Sequence, residues 1–248
     1  MFGSENNALA NEIHYIIPNL LKGILALTWN QRQDWFFGVN MAIYYSPESD
    51  ILPIIPHAFL SLGVIRHKGE VGRKHYILWE ENYIVPILVL DIVSENYAGE
   101  YEEKQEKYSQ LGILYYVIYN PNYWRRDKHN SFEVYRLVNG NYVRQDGEPV
   151  WMPEIGLAIG RGQGIYDSSW AREWLYWYDD EGNRYPSPEE LVAVERERAN
   201  FTSQALGKAI IIMLSFGLNI ETIAESLGLS VQEVNDELEI YERIKNHI

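Results

Sequence analysis

Cysteine is absent from this 248-residue chain. That excludes disulfides and thiolate metal sites, and it permits a reducing compartment without requiring one. Basic side chains are scarce: 21 Lys and Arg stand against 35 Asp and Glu, a formal charge of −14. The surface as a whole therefore does not draw in nucleic acid by charge. A long apolar run is missing too. The opening MFGSENNALANEIHYIIPNLL has no basic leading region, and its apolar stretch is short and interrupted. A signal peptide or membrane span is thus not expected, and the chain reads as cytoplasmic with no membrane partner. Internal repeats and low-complexity tracts are also lacking. What remains is 46% hydrophobic and 14% aromatic, enough to bury one large domain, or one domain and a small extension.

Residues 8–26 carry apolar side chains at mixed helical spacing, interrupted by Pro18. FFGVNMAIYY (36–45) and PHAFLSLGV (56–64) read as strands, with SPESD as a turn between them. IVPILVLDIV (84–93) is nearly all apolar, as in a strand buried on both faces. A helix is expected from about 99 to a stop at Gly112, then a strand over ILYYVIYNP (113–121). Strand, helix and strand on short links predict a parallel pair covered by the helix. FEVYRLV, Asn139-Gly140 and NYVRQDG read as a hairpin, and REWLYWYDDEGNRY reads as a second. GRGQG (160–164) reads as a turn, since the lysine and strand–glycine–helix context of a phosphate loop are missing. Trp170, Trp174, Tyr176, Trp177 and Tyr178 would build a core or offer a base-stacking surface.

Pro186 and Pro188 open an acidic helical segment, so the expected organisation is an α/β domain over 1–185 and a helical extension over 186–248. Inside the extension, two short helices meet at Gly228-Leu229-Ser230 like a helix-turn-helix, with Ser230 and Glu233 as a capping box. The second helix carries Glu233, Asp236, Glu237 and Glu239, which would repel phosphate. Oligomerisation or docking to another protein is the expected use.

One residue breaks the 84–93 strand pattern. A bare Asp91 there would cost several kcal/mol. On the helix that follows, Tyr101, Lys104, Tyr108 and Leu111 share one face, so Lys104 is a core-facing cation 13 residues after a core-facing anion. The two could form a structural ion pair. The alternative is a site where the carboxylate holds a metal and the lysine touches a phosphate or activates water. Lys107, four residues after Glu103, suits a solvent-exposed pair. Two basic groups, Arg66, His67, Lys68, Arg73, Lys74 and His75, then Arg125, Arg126, Lys128 and His129, are solvated loops or local nucleic-acid strips.

PHAFLSLGV, WEEN, VPILVLDIVSE and EYEEKQEKYSQLGILYYVIYNP together resemble the restriction endonuclease family of the PD-(D/E)XK nuclease superfamily, over roughly residues 36–185. The resemblance implies an α/β restriction-endonuclease-like core, a mixed sheet with flanking helices. It also implies hydrolysis of DNA phosphodiesters with Mg²⁺ or Mn²⁺. Carried over by position, the catalytic set is His57, Asp91 and Lys104, with Asp91 and His57 as metal ligands. Arg66, Lys68, Arg73 and Lys74 are the candidate DNA contacts, and a homodimer would serve the cutting of two strands. Asp91 stands where glutamate is commoner, Val93 where the lysine more often sits, and His57 where an aspartate is expected. Imidazole in place of a carboxylate suits softer ions than Mg²⁺. A relative that has lost catalysis and acts as a binding or scaffold module is therefore the alternative. Glu80, Glu81 and Glu95 are nearby acids that could assist or simply face solvent.

Overall fold

A computed structural model describes residues 11–48, 51–96, 98–167 and 169–245. The chain divides after Pro188 into two compact units. The first runs through helix α1 (Ile13–Thr28) and strands β1 (Trp35–Val39), β2 (Ile43–Tyr44), β3 (Ala58–Leu62), β4 (Tyr76–Ile77) and β5 (Leu88–Ile92). Helix α2 (Glu103–Gln110), strand β6 (Tyr115–Tyr119) and the one-turn helix α3 (Trp124–Asp127) follow. Strands β7 (Phe132–Val138), β8 (Asn141–Arg144), β9 (Val150–Met152), β10 (Leu157–Tyr166) and β11 (Trp170–Tyr178) complete it.

Six strands form a mixed sheet in the order β1-β3-β5-β6-β7-β8. Its centre is the parallel pair β5–β6, and the other neighbours pair antiparallel. Every residue of β5 and β6 is buried, which is why both read as apolar runs, Asp91 apart: a parallel pair with layers on both faces has no solvent side. Helix α2 is the crossover between them. It ends where Gly112 turns to φ +77°, with the Gly112 N–H donating to Ser109 and the Ile113 N–H to Tyr108, a left-handed stop that glycine adopts without strain.

The two-residue alternation of β5 sorts its side chains. Leu88, Leu90 and Ile92 enter a core with α1 and the antiparallel sheet β11-β10-β9. Val89 and Val93 enter the opposite core with Tyr101, Tyr108 and Tyr116. Asp91 lies between Val89 and Val93 and so faces α2. The amphipathic face of α1 (Ile13, Ile17, Leu20, Leu21, Ile24 and Leu25) is buried, and the Trp177 indole N–H donates to the Leu21 carbonyl at 3.0 Å.

Some elements differ from the expectation. The 36–45 stretch breaks into β1 and β2 because Asn40 turns left-handed at φ +45°, its N–H held by the His57 carbonyl at 3.0 Å. GRGQG is no turn but the middle of β10, paired with β11 from Arg161↔Leu175 to Gly164↔Arg172. Its glycines are spaced two apart because neighbours crowd that face: Pro149 lies over Gly160, and aromatic rings of β11 lie over Gly162 and Gly164. A Cβ at Gly162 would sit 3.0 Å from the Tyr176 ring, and one at Gly164 would overlap the Tyr176 hydroxyl. The second hairpin therefore joins β10 to β11, and REWLYWYDDEGNRY closes with a single bridge, Tyr178↔Arg184. The Asn139-Gly140 hairpin forms as read, with both residues at positive φ.

The second unit holds helices α4 (Pro188–Ser215), α5 (Ile220–Leu227) and α6 (Val231–Lys245) around Ile210, Ile223, Ala224 and Val234. The capping box forms: the Glu233 N–H donates to Ser230 Oγ at 3.2 Å and the Ser230 N–H to Glu233 Oε2 at 2.7 Å. Among the described residues no helix is long and apolar enough to cross a membrane.

Candidate active site

Three chain segments bring His57, Asp91 and Lys104 together. Asp91 points from β5 toward α2 and is fully buried. His57 immediately precedes β3, whose Ala58 pairs with Leu90, so its ring lies beside Asp91. Lys104 and Tyr108 stand one turn apart on α2, above the same strand. Lys104 Nζ donates to Asp91 Oδ1 at 2.9 Å, and the Tyr108 hydroxyl donates to Oδ2 at 3.0 Å. The Tyr116 hydroxyl has one proton to share between Oδ2 at 3.2 Å and the Glu100 carbonyl at 2.8 Å. His57 Nδ1 lies 3.2 Å from Oδ1. Protein donors thus engage both oxygens of the carboxylate.

The proton on His57 is fixed by its second neighbour. The Ile92 N–H points at Nδ1 from 3.1 Å. One nitrogen cannot accept from Ile92 and also donate to Asp91, and donating would leave the Ile92 N–H unpaired. Neutral His57 therefore carries its proton on Nε2. Burial alone would raise the Asp91 carboxyl, but the Lys104 ammonium overcomes this and holds it well below the usual carboxylate range. Burial likewise works against the Lys104 ammonium, and Asp91 and Glu100 more than restore it. Tyr108 and Tyr116 are pushed well above their ordinary values, by burial first and then by Asp91, so both remain neutral donors.

Sequence reasoning missed two side chains. His14 on α1 is buried with its ring edge-on to His57, centroids 4.8 Å apart. Burial above all, with the Lys104 charge, lowers it from 6.5 to about 4. Glu100, in the turn before α2, is also buried. Its Oε1 lies 3.7 Å from Lys104 Nζ, and its Oε2 accepts from the Ala98 N–H at 3.0 Å. Neither had a signal to separate it: His14 interrupts an apolar helix face once, and Glu100 begins an acid-rich segment.

Mg²⁺ or Mn²⁺ is the ion the resemblance implies, and the resident donors do not fit it. The His57–Asp91 pair offers one carboxylate, already engaged on both oxygens, and an imidazole with no free lone pair. Among the described residues no group of three or more His, Asp or Glu side chains is arranged to hold a metal.

A cavity of about 190 Å³ opens against the cluster, lined by Lys104, Lys107, Tyr108, Glu103, Ile54 and Ile55. Lys107, read as a surface residue, forms part of this mouth. A larger one of about 440 Å³ lies elsewhere, bordered by Trp124, Glu133, Arg144, Glu148 and Arg161. Four of its charges are paired, Arg144 with Glu133 and Arg161 with Glu148.

The other candidate DNA contacts are largely engaged inside the molecule. Arg73 is bidentate to Glu81, at 2.9 and 3.0 Å, with both side chains nearly buried. Lys68 reaches Glu81 at 3.0 Å and Glu80 at 3.2 Å. Arg66 lies over the Trp35 ring at 3.6 Å, and Lys74 is exposed. Glu81 thus closes the basic loop onto the WEEN segment. Replacing it with Ala should cost about 2 kcal/mol, below the range for a fully buried pair because Lys68 is partly solvated. Limited trypsin digestion should then cut between Arg66 and Lys74 well before the natural protein is cut there. Equal cleavage rates would show that the pair does not hold the loop.

The family model Uma2, described as "Putative restriction endonuclease", matches residues 11–164. No curated protein matches the chain. Among solved structures, the chain is similar to one described as a "putative nuclease belonging to DUF820 from Anabaena variabilis ATCC 29413". The identity is 12%, the TM-score 0.38, and the match covers 58% of this chain and 73% of that one.

Proposed function

This chain belongs to the Uma2 family of restriction-endonuclease-like proteins, and from that premise we propose that it binds the phosphodiester backbone of DNA at the Lys104–Lys107 mouth without cutting it. One observation carries this reading: the only carboxylate of the His57–Asp91–Lys104 set is neutralised from within, its oxygens taken by Lys104, Tyr108 and Tyr116. Metal-dependent phosphoryl chemistry needs ligand oxygens that remain open to the ion and to water, and Asp91 offers none. The mouth itself carries Lys107 beside Lys104, whose ammonium is turned to Asp91, so Lys107 is the cation set for a phosphate even on a chain of net charge −14.

A second reading has its own support. His57, Asp91 and Lys104 converge although 34 and 13 residues separate the contacting pairs, as the family pattern implies for a Mg²⁺- or Mn²⁺-dependent DNA endonuclease. Two assays decide between the readings. Labelled duplex should bind with an affinity that falls as salt rises, and Lys107→Glu should weaken it at least about fivefold. Supercoiled plasmid should stay intact with either ion. Cleavage by the natural protein that Asp91→Asn abolishes would establish the endonuclease instead, and absent or Lys107-independent DNA binding would sink the first reading.

A further inference from the structure

We infer that Lys104 is a tethered cation standing between the Asp91 and Glu100 carboxylates, and that it keeps a divalent ion out of this site. The inference rests on reading the cluster as the family's site, and it names what closes it.

The geometry is that of a cation bridging two acids. Nζ lies 2.9 Å from Asp91 Oδ1 and 3.7 Å from Glu100 Oε1, and both carboxylates are buried, at 0% and 1% exposure. Lys104 is the cation that the geometry places between the two carboxylates. Without Lys104 the site would contain two buried carboxylates, the hard oxygen pair that Mg²⁺ and Mn²⁺ prefer. With it, the place is filled by a group on the adjoining helix. A short tether presents its end at an effective concentration of at least millimolar, enough to compete with a free dication. The helix holds that end in place: Tyr101 and Tyr108, on the same face of the segment, are buried in the α2-side core.

Thermal unfolding with EDTA, Mg²⁺ or Mn²⁺ tests this on the natural protein, Lys104→Met, and the double variant Asp91→Asn with Lys104→Met. The natural protein should melt at one temperature in all three conditions. Lys104→Met should melt lower in EDTA and recover by roughly 3–6 °C in several millimolar Mn²⁺, the shift expected when an ion binds only the folded state. The double variant, left with Glu100 as its one buried carboxylate, should ignore metal. Should Lys104→Met not fold in EDTA, refolding in Mn²⁺ should yield folded protein. The inference is overturned by a saturable Mn²⁺ response in the natural protein, or by a Lys104→Met protein that is indifferent to metal or folds in neither condition. DNA binding is read separately: its absence, beside the expected melting pattern, would overturn the proposed function and leave the tethered cation standing.

Discussion

Asp91→Ala should lower the unfolding free energy by about 3–5 kcal/mol, the cost of breaking a buried ion pair from one side. The substitution removes the acceptor of three donors at once. Lys104 would keep Glu100 alone, at 3.7 Å, and the Tyr108 hydroxyl would lose its acceptor inside the core. An unsatisfied buried donor costs on the order of 1–3 kcal/mol, so the lysine and the tyrosine together account for the range. The lost side chain itself matters little by comparison. Chemical denaturation at pH 7 measures the effect. The control is Asp91→Asn with Lys104→Met and Glu100→Gln, which removes all three charges and should recover much of the loss, because replacing a whole buried ion cluster is often close to neutral. A single variant as stable as the natural protein would mean that Asp91 is not ionised in the fold.

The second large effect is a dependence on pH that His14 imposes. Its folded value is depressed from 6.5 to about 4, chiefly by burial. Between those values the unfolded chain holds a proton that the folded chain refuses, so stability rises with pH across the window. The contribution is complete above about pH 6.5 and is lost as pH falls toward 4, and it amounts to about 3 kcal/mol. Asp91 behaves differently. Its folded value is also depressed, but its contribution holds down to the ordinary carboxylate range and fails only below it. Stability between pH 4 and 6.5 therefore reports His14 and not Asp91. Urea midpoints at pH 7, 6, 5 and 4.5 should fall steeply for the natural protein and much less for His14→Phe. Parallel curves for the two would show that the imidazole is not buried uncharged.

The fold was legible where residues were forced to announce their surroundings. The apolar runs of β5 and β6, with Gly112 between them, could only be central parallel strands and a crossover helix. Asn139-Gly140 specified its hairpin by backbone conformation alone. GRGQG misled because glycine is an ordinary turn signal. Its regular two-residue spacing was the informative part, and it marks a strand face crowded by close neighbours. Asn40 broke a strand with no apolar or proline signal to mark the place.

In the candidate site, Asp91 and Lys104 stood out because each opposed its own pattern, a charge in an apolar strand and a cation on a core-facing helix stripe. Tyr108 lay on that same stripe but read as packing; only the structure gives its hydroxyl a partner. His57 depended on the resemblance, since proline followed by histidine carries no physical signal. Tyr116 sat inside an aromatic strand where any tyrosine would pass for core. Glu100 was hidden among neighbouring acids, and His14 lies 43 residues before its ring partner, a distance that only the tertiary fold closes.

The central claim is that the Asp91 carboxylate is neutralised from within, so that the natural chain holds no divalent ion there. Isothermal titration of the natural protein with Mn²⁺ tests it most directly. No saturable binding is expected up to several millimolar, with or without Asp91→Asn. A one-to-one binding event in the natural protein that disappears in Asp91→Asn would contradict it and return Asp91 to the role of metal ligand.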